Sequence, residues 1–270
     1  MSDYPVFEAP APGSEAGPER DPEFPPLLTG HEIAEGGDAL ARAVAGARDS
    51  SFGAGDFVWS RSRDTFDTAL VLEPDISRER ACEIAFVAQV AFAECFGAVS
   101  PPEVALTFGW PTTLRLNGGR IGELRLVVAD ADDDDGAPMW MVVGLRLVMR
   151  HEQYHVDPGK MPDVTTFEEE GCGDIDAVDL VESFARHMLV WIHTWTEDGF
   201  RPVHDNYVFR ADGYNEETEI SHAGRTRKGM LIGLDERGCA LLKGEDGKVE
   251  ALDATAAITS ESVFAGGAQT

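Results

Sequence analysis

The chain has 270 residues, of which 49 are acidic and 22 are Lys or Arg, giving a formal net charge of −27. Its hydrophobic content of 43%, with 14 Phe and 5 Trp, is enough for a folded core and excludes intrinsic disorder for most of the chain. The acid excess counts against binding to nucleic acids and to anionic membranes, since both need clustered Lys and Arg.

The cellular context follows from what the sequence lacks. No run approaches the roughly 18 apolar residues of a membrane helix, and the N-terminus has neither the basic nor the apolar region of a signal peptide. Four cysteines (Cys82, Cys95, Cys172 and Cys239) lie far apart, and no pair has the CxxC spacing of a zinc or redox site. We therefore expect a cytoplasmic protein with reduced thiols.

The first half of the chain predicts a flexible tail followed by alternating helices and strands. Residues 1–24 are rich in Pro, Gly and acids and predict the tail, with an ordered strap over a groove as the alternative. Asp38 is a suitable N-cap for a helix over 38–48, and the apolar run 68–74 predicts a strand. Ser77 can cap a second amphipathic helix that ends at Gly97.

The second half predicts a hairpin, a central strand, a long helix and a small β unit. Strand 103–108 precedes a hairpin centred on Asn117-Gly118-Gly119, and the run 139–149 is too apolar for an edge strand. Asp176 starts a long helix that Gly199 ends, and the last 50 residues form short strands with Gly-containing turns. The fold class is therefore α+β, a mixed or antiparallel sheet with packed helices, followed by a small β-barrel.

A string that matches HExxH, His151-Glu152-Gln153-Tyr154-His155, is characteristic of zinc proteases when it lies on a helix. Here a strand-like run ends directly before it, and Pro158 stops any helix one turn after it. The pattern therefore favours a polar loop and no metal, with a zinc hydrolase as the alternative. The acidic turn at 130–135 lacks the ligand spacing of a calcium loop and favours solvated surface.

Weaker signals suggest a ligand site. Gly53-Ala54-Gly55 forms a turn before a strand, where backbone N–H groups could face a ligand. Trp110-Pro111 follows strand 103–108, and Arg120 opens the second strand of the hairpin. Simple alternation puts Arg120, Gly122 and Leu124 on one face, which leaves room for a ligand beside a cation. The alternative for Arg120 is a solvated hairpin residue.

At this point the order of segments resembles the biotin protein ligase family, which is grouped with the lipoate ligases. The segment GWPTTLRLNGGRIGELRLVV resembles the family's K-W-P-N-D and the N-G-x-K strand after it, and MWMVVGLRLVM takes the place of its next strand. The segment PDVTTFEEEGCGDID, the helix ending in TWTEDGFRPV and the C-terminal GMLIGLDERGCALLKGEDGKVEAL are similar to three further family segments. The last of these is an SH3-like domain in the family.

The resemblance implies an α+β catalytic domain at 25–215 and an SH3-like C-terminal domain at 220–268. It also implies a ligase that makes an acyl-adenylate from ATP and biotin or a similar acid, with Mg²⁺, and passes the acyl group to a lysine of a biotinyl or lipoyl carrier protein. Its catalytic Lys falls on Arg120, which keeps the charge with a different geometry. The other implied contacts to the adenylate and its pocket are Gly53, Gly55, Arg61, Arg63, Trp110 and Gly122.

The sequence departs from the family pattern at the chemistry itself. The family's Gly- and Arg-rich loop matches FGAGDFVW, which has no Arg, and the Lys, Asn and Asp around its Trp-Pro fall on Gly109, Thr112 and Thr113. A non-catalytic protein that keeps the pocket for a biotin-like acid or a nucleotide is therefore the alternative function.

Overall fold

The architecture is taken from a computed structural model, which describes residues 20–34, 36–150 and 163–264. A seven-stranded sheet has the order β1-β2-β3-β7-β6-β5-β4, in which β1 and β2 are parallel and the other pairs antiparallel. Its strands are β1 (Thr29–Ile33), β2 (Asp56–Ser60), β3 (Thr65–Leu72), β4 (Leu106–Gly109), β5 (Thr113–Leu116), β6 (Gly119–Val128) and β7 (Met141–Val148).

Helices cover both faces of this sheet. They are α1 (Ala39–Arg48), α2 (Arg78–Ala81), α3 (Ile84–Gly97), α4 (Ala177–Asp198), α5 (Arg201–Phe209) and α6 (Ala254–Phe264). The larger core lies on the face covered by α3 and α4, whereas α1 packs a smaller apolar cluster on the other face. Of the described helices, none is both long and apolar enough to span a membrane.

Helix α3 lies at the centre of the larger core. Twelve of its fourteen residues are buried, because the sequence is apolar on every side. The sheet, α4, α5 and the C-terminal unit surround it. A single continuous core cluster consequently runs from Leu28 to Ile258.

The C-terminal unit corrects the predicted barrel. Its strands are β8 (Glu217–His222), β9 (Arg225–Leu234), β10 (Ala240–Lys243) and β11 (Val249–Leu252), in the order β11-β10-β9-β8. The two edge strands do not pair with each other, so these residues form an open antiparallel sheet rather than a closed SH3-like barrel. Helix α6, which the sequence patterns did not predict, follows β11 and buries Ala254, Ala257 and Ile258 in the shared core.

Several predictions are confirmed, and each of them depends on only a few neighbouring residues. The side chains of Asp38 and Asp176 accept hydrogen bonds from the first turns of α1 and α4. The turn at Asn117-Gly118 has positive φ at both residues, as the hairpin requires. The helix predicted after Ser77 is instead two helices, α2 and α3, and Ser77 makes no side-chain cap. The HExxH string at 151–155 lies outside the described residues.

Candidate functional site

A row of charged side chains crosses the sheet at the N-terminal end of α1. Along α1 the sheet face is apolar, with Val58, Ala69 and Val142 beneath the helix. Beyond the helix the strand register places Asp67 of β3 beside Arg146 of β7. The same register places Arg146 beside Glu123 of β6, and Glu123 beside Thr113 of β5. Cross-strand partners point to the same side of a sheet, so this face changes from apolar to charged at that line.

Arg125 holds Asp38 against this face. Its Nη1 donates to Asp38 Oδ2 at 2.9 Å and its Nη2 to Oδ1 at 3.3 Å. Asp38 is also the N-cap residue of α1, and its Oδ1 accepts a hydrogen bond from the backbone N–H of Ala41. Burial acts to raise the pKa of Asp38, but the hydrogen bonds from Arg125 and Ala41 hold it below its ordinary value. The pair thus fixes the start of α1 to the sheet.

Asp67 is the most buried charge of the row, with 1% of its surface exposed. Its Oδ2 accepts from the backbone N–H of Ala39 at 3.2 Å, and its Oδ1 has no hydrogen-bond partner in the described part of the chain. Arg125 and Arg146 approach it only to 3.8 Å. Burial raises the pKa of Asp67 to about 6, although the two guanidiniums act to lower it.

Among the described residues, the guanidinium of Arg146 makes no hydrogen bond, and it faces the open part of the sheet face. Its Nη1 lies 3.7 Å from Asp38 Oδ2 and 3.8 Å from Asp67 Oδ2, both beyond hydrogen-bonding distance, and its side chain is 36% exposed. Arg125 Nε beside it is buried and has no hydrogen-bond partner among the described residues, but it is not accessible to a ligand. In that part of the chain, the N–H groups of Arg146 are therefore the donors of this pair that a ligand can reach.

Arg120 lies on the same face, contrary to the simple alternation expected from the sequence. Beside Leu114 and Arg115, the facing strand β6 contains a one-residue bulge. As a result Arg120 is the partner of Arg115, while Thr113 pairs with Glu123. Arg115 and Thr113 are two residues apart on β5, so Arg120 shares the face of Glu123 rather than that of Gly122. From strand spacing, the Cα atoms of Arg120 and Arg146 are roughly 8 Å apart.

The backbone of Arg120 is fixed while its side chain is exposed. Its N–H donates to Asp163 O at 2.8 Å and its C=O accepts from Thr165 N at 3.0 Å. Neighbouring Arg115 is engaged with Asp212 at 3.1 Å and with Gly118 O at 2.9 Å. In the described part of the chain, the Arg120 guanidinium has no such partner.

The glycine turn expected to hold the adenylate lies at the other end of the sheet. The N–H of Gly53 donates to Asp56 Oδ2, and that of Gly55 donates to Val71 O. Val71 is four residues from Asp67, which places the turn roughly 14 Å from the charged row. The structure therefore does not bring Gly53 and Gly55 together with Arg120, and their amides are already used.

The two arginines after Trp59 have different surroundings. Arg61 donates to both oxygens of Glu32, at 3.0 and 2.8 Å, and also to Asp21 and to Arg20 O, while stacking over Trp59. Arg63 is exposed in the β2–β3 hairpin and makes no such contact within the described ranges. That hairpin is at the same end of the sheet as the charged row, so Arg63 is the better placed of the two.

Trp110 and Gly122 support the core rather than the charged face. Trp110 is buried, and its Nε1 donates to Gly238 O in the C-terminal unit at 2.9 Å. Gly122 has φ +157°, and a Cβ there would lie 2.1 Å from Arg146 O. A glycine is required because β6 and β7 approach closely at this point.

Four residues of the row were not predicted as site residues from the sequence. Asp38 was predicted only as a helix cap and not as the ion-pair partner of Arg125, and Asp67, Arg125 and Arg146 were not proposed. The signal that could have found them is a charge inside a strand whose other residues are apolar, as in VVGLRLV and GELRLVV. No group of three His, Cys, Asp or Glu side chains that could hold a metal occurs in residues 20–34, 36–150 and 163–264.

The sequence profile of the Biotin/lipoate A/B protein ligase family matches residues 24–209. This stretch is more than half of the chain and includes all seven strands of the large sheet and the whole charged row. The chain therefore belongs to the biotin/lipoate A/B protein ligase family.

Known proteins agree with this assignment. A biotin protein ligase-like protein of unknown function from a Silicibacter species has a crystal structure with a TM-score of 0.76 and 36% identity, covering 87% of this chain and 97% of that one. A biotin–[acetyl-CoA-carboxylase] ligase of Paracoccus denitrificans is 24% identical over 190 residues, covering 70% of this chain and 78% of that protein. Biotin protein ligase from Aquifex aeolicus, in complex with biotin and ATP, shares the fold, with a TM-score of 0.66, 14% identity and coverage of 85% and 96%.

Proposed function

We propose that this protein activates a small carboxylic acid with ATP and transfers the acyl group to a lysine of a carrier protein. The observation that carries the proposal is the charged sheet face, on which the guanidiniums of Arg120 and Arg146 make no hydrogen bond among the described residues, in a chain of the ligase family. The named ligase relatives support it, since one acts on a carboxylase and another is seen with biotin and ATP.

The reaction has two steps that both need cations. A carboxylate oxygen attacks the α-phosphorus of ATP, the bond to the β-phosphate oxygen breaks, and pyrophosphate leaves. The lysine amine then attacks the acyl carbon, AMP leaves with the bonding electrons, and the amide nitrogen loses a proton. Negative charge builds on the phosphate in the first step, and preorganised donors stabilise it.

Arg120 is the residue proposed to contact the α-phosphate. Its backbone is fixed on both sides by hydrogen bonds to 163–165, which positions the base of the side chain while leaving the guanidinium exposed. Arg63 is proposed to reach the outer phosphates from the β2–β3 hairpin. Mg²⁺ would arrive with ATP as part of the substrate. We assign this chemistry to residues 25–215 and a supporting role to 220–268.

The alternative function, a non-catalytic binding protein on the same scaffold, is favoured by one observation. The amides of Gly53 and Gly55 already donate to Asp56 Oδ2 and Val71 O and lie far from Arg120, so they do not form a loop over an adenylate. A protein that binds an acid at the charged face without activating it needs no such loop.

Pyrophosphate exchange decides between these functions. We expect ATP-dependent exchange with at least one acid of a panel of biotin, lipoate, octanoate and dicarboxylates. Arg120→Gln should reduce the rate roughly a hundredfold, as loss of one charge-stabilising donor does in other enzymes. Arg48→Gln is a matched control, because Arg48 is an exposed arginine at the far end of α1. Stabilisation by an acid without any exchange would favour the binding protein.

A further inference from the structure

We propose that Arg146 is a specificity residue that binds an anionic group at the end of the acid remote from the reacting carboxylate. The substrate class is then a dicarboxylic acid rather than an acid with an apolar tail. This inference rests on the proposed function, since it names the acid that the ligase site takes.

The composition of the charged face argues against an apolar tail. Beyond α1 this face carries the polar or charged side chains of Asp67, Arg146, Glu123, Thr113 and Arg125, and its one apolar member in the described strands is half-exposed Val148, next to Arg146 on β7. Within the ranges that the structure describes, Asp67 Oδ1 and Arg125 Nε are buried without a hydrogen bond, and both side chains are more than nine-tenths buried. A hydrocarbon chain against this row would exclude water from charged groups and return no hydrogen bonds, which is costly.

Arg146 is ion-paired with Asp38 and Asp67 only at 3.7 and 3.8 Å, so its guanidinium keeps its hydrogen-bond donors free among the described residues. Asp38 is used by two hydrogen bonds from Arg125 and by the cap of α1. Asp67 accepts a hydrogen bond from Ala39 N and lies 3.8 Å from Arg146 Nη1, beyond hydrogen-bonding distance. Glu123 is half-exposed and forms no ion pair with Arg146, although the two are register partners. An anionic ligand therefore meets a guanidinium with no hydrogen-bonded counter-ion.

The geometry suits a carboxylate. The planar guanidinium offers paired N–H donors to two oxygens at once, which favours carboxylate over a single-point charge. Asp38 and Asp67 lie 3.7 and 3.8 Å from Nη1 and hold the side chain over the sheet without occupying its donors. Arg120, roughly 8 Å away along the same face by strand spacing, is left for the activated end of the acid and the phosphate.

The test uses acids matched in length. Suberate and octanoate have the same carbon chain and differ in the distal group, as do adipate and hexanoate; 8-aminooctanoate carries a cation there, and biotin is included. Isothermal titration without ATP measures binding to the full chain, and pyrophosphate exchange measures activation. The variants are Arg146→Gln, Arg146→Lys and the control Arg48→Gln, each checked for folding by circular dichroism.

We expect a dicarboxylate to bind roughly tenfold or more tightly than its monocarboxylate partner, and Arg146→Gln to remove that difference. Arg146→Lys, which keeps the charge without the fork, should retain part of it. The inference is overturned if octanoate, 8-aminooctanoate or biotin binds as tightly as suberate and adipate, if no acid binds, or if Arg146→Gln leaves dicarboxylate binding unchanged.

The two proposals fail in different ways. Exchange with biotin or octanoate that does not depend on Arg146 retains the ligase and overturns the dicarboxylate specificity. Binding of a dicarboxylate that depends on Arg146, without exchange for any acid, overturns the ligase and retains the specificity of the site.

Discussion

The indole Nε1 of Trp110 donates a hydrogen bond of 2.9 Å to the backbone oxygen of Gly238, which lies 128 residues further along the chain. This bond ties the turn before β5 to the C-terminal sheet. At the same contact, a Cβ on Gly238 would lie 2.6 Å from the ring of Phe86, so the C-terminal sheet sits directly on α3. The segment resembling a family ligand motif therefore contributes here to packing.

Trp110→Phe tests the value of this contact. The variant keeps an aromatic ring in the core and leaves Gly238 O without its donor, so we expect a loss of about 1–3 kcal/mol in the free energy of unfolding. Urea denaturation followed by circular dichroism measures it. Trp140→Phe is the control, because the indole nitrogen of Trp140 donates no hydrogen bond among the described residues. Equal losses for both variants would show that the hydrogen bond contributes nothing.

Gly122→Ala should be far more destabilising than Gly118→Ala. An alanine Cβ at 122 would be 2.1 Å from Arg146 O, which forces β6 and β7 apart, so we expect a loss of more than about 3 kcal/mol. At Gly118, which has φ +90° and nothing within 4 Å, only the backbone strain of about 1 kcal/mol applies. Thermal unfolding of both variants gives the comparison, and similar melting temperatures would contradict it.

Asp67 predicts a specific pH dependence of stability. Burial raises its pKa from 3.8 to about 6, so between these values the folded protein holds a proton that the unfolded chain releases. Stability contributed by this group therefore falls as the pH rises through that window, by up to about 3 kcal/mol. The charged groups that face it are Asp38, Arg125 and Arg146.

Asp67→Asn removes this dependence. Relative to the unmodified protein, the variant should gain stability as the pH rises from 4 to 7, as measured by thermal unfolding across that range. Asp134→Asn, at an exposed residue of the acidic turn, should show no such trend. A constant difference in stability between the Asp67 variant and the unmodified protein would mean that the carboxyl titrates alike in both states.

Arg63 and Arg61 should differ in their effect on nucleotide binding. Arg61 is held by Glu32 and Asp21, whereas Arg63 is exposed without such partners within the described residues. We expect Arg63→Gln to weaken ATP binding about tenfold in a fluorescence titration, and Arg61→Gln to leave it nearly unchanged. A larger loss of ATP affinity for Arg61→Gln than for Arg63→Gln would mean that the phosphates bind on the side of the hairpin that faces β1.

The sequence predicted those elements whose signals are local. The caps at Asp38 and Asp176 and the Asn117-Gly118 turn depend on a few neighbouring residues, and all are present. The family resemblance was also correct, because it rested on the order of several segments.

The site was predicted less well, because its geometry depends on pairing between distant strands. A one-residue bulge on β6 moves Arg120 to the face opposite that expected from alternation. The row that joins Asp67, Arg146 and Glu123 exists only through the register of β3, β7 and β6, which no single segment specifies. The turn at Gly53–Gly55 has the composition of a phosphate loop, yet its amides donate to Asp56 of β2 and Val71 of β3.

Because the core is continuous, the chain can complete its folding only when the C-terminal unit has been synthesised. Helix α3 is made early, yet Phe86 and Trp110 are covered only when the strands after residue 217 are in place. During synthesis, this apolar surface therefore stays exposed until the last fifth of the chain is made, a period in which nascent chains are prone to aggregate. Once complete, the sheet with its charged face and the C-terminal unit should melt together in one transition, so that the ligand site exists only in the finished protein.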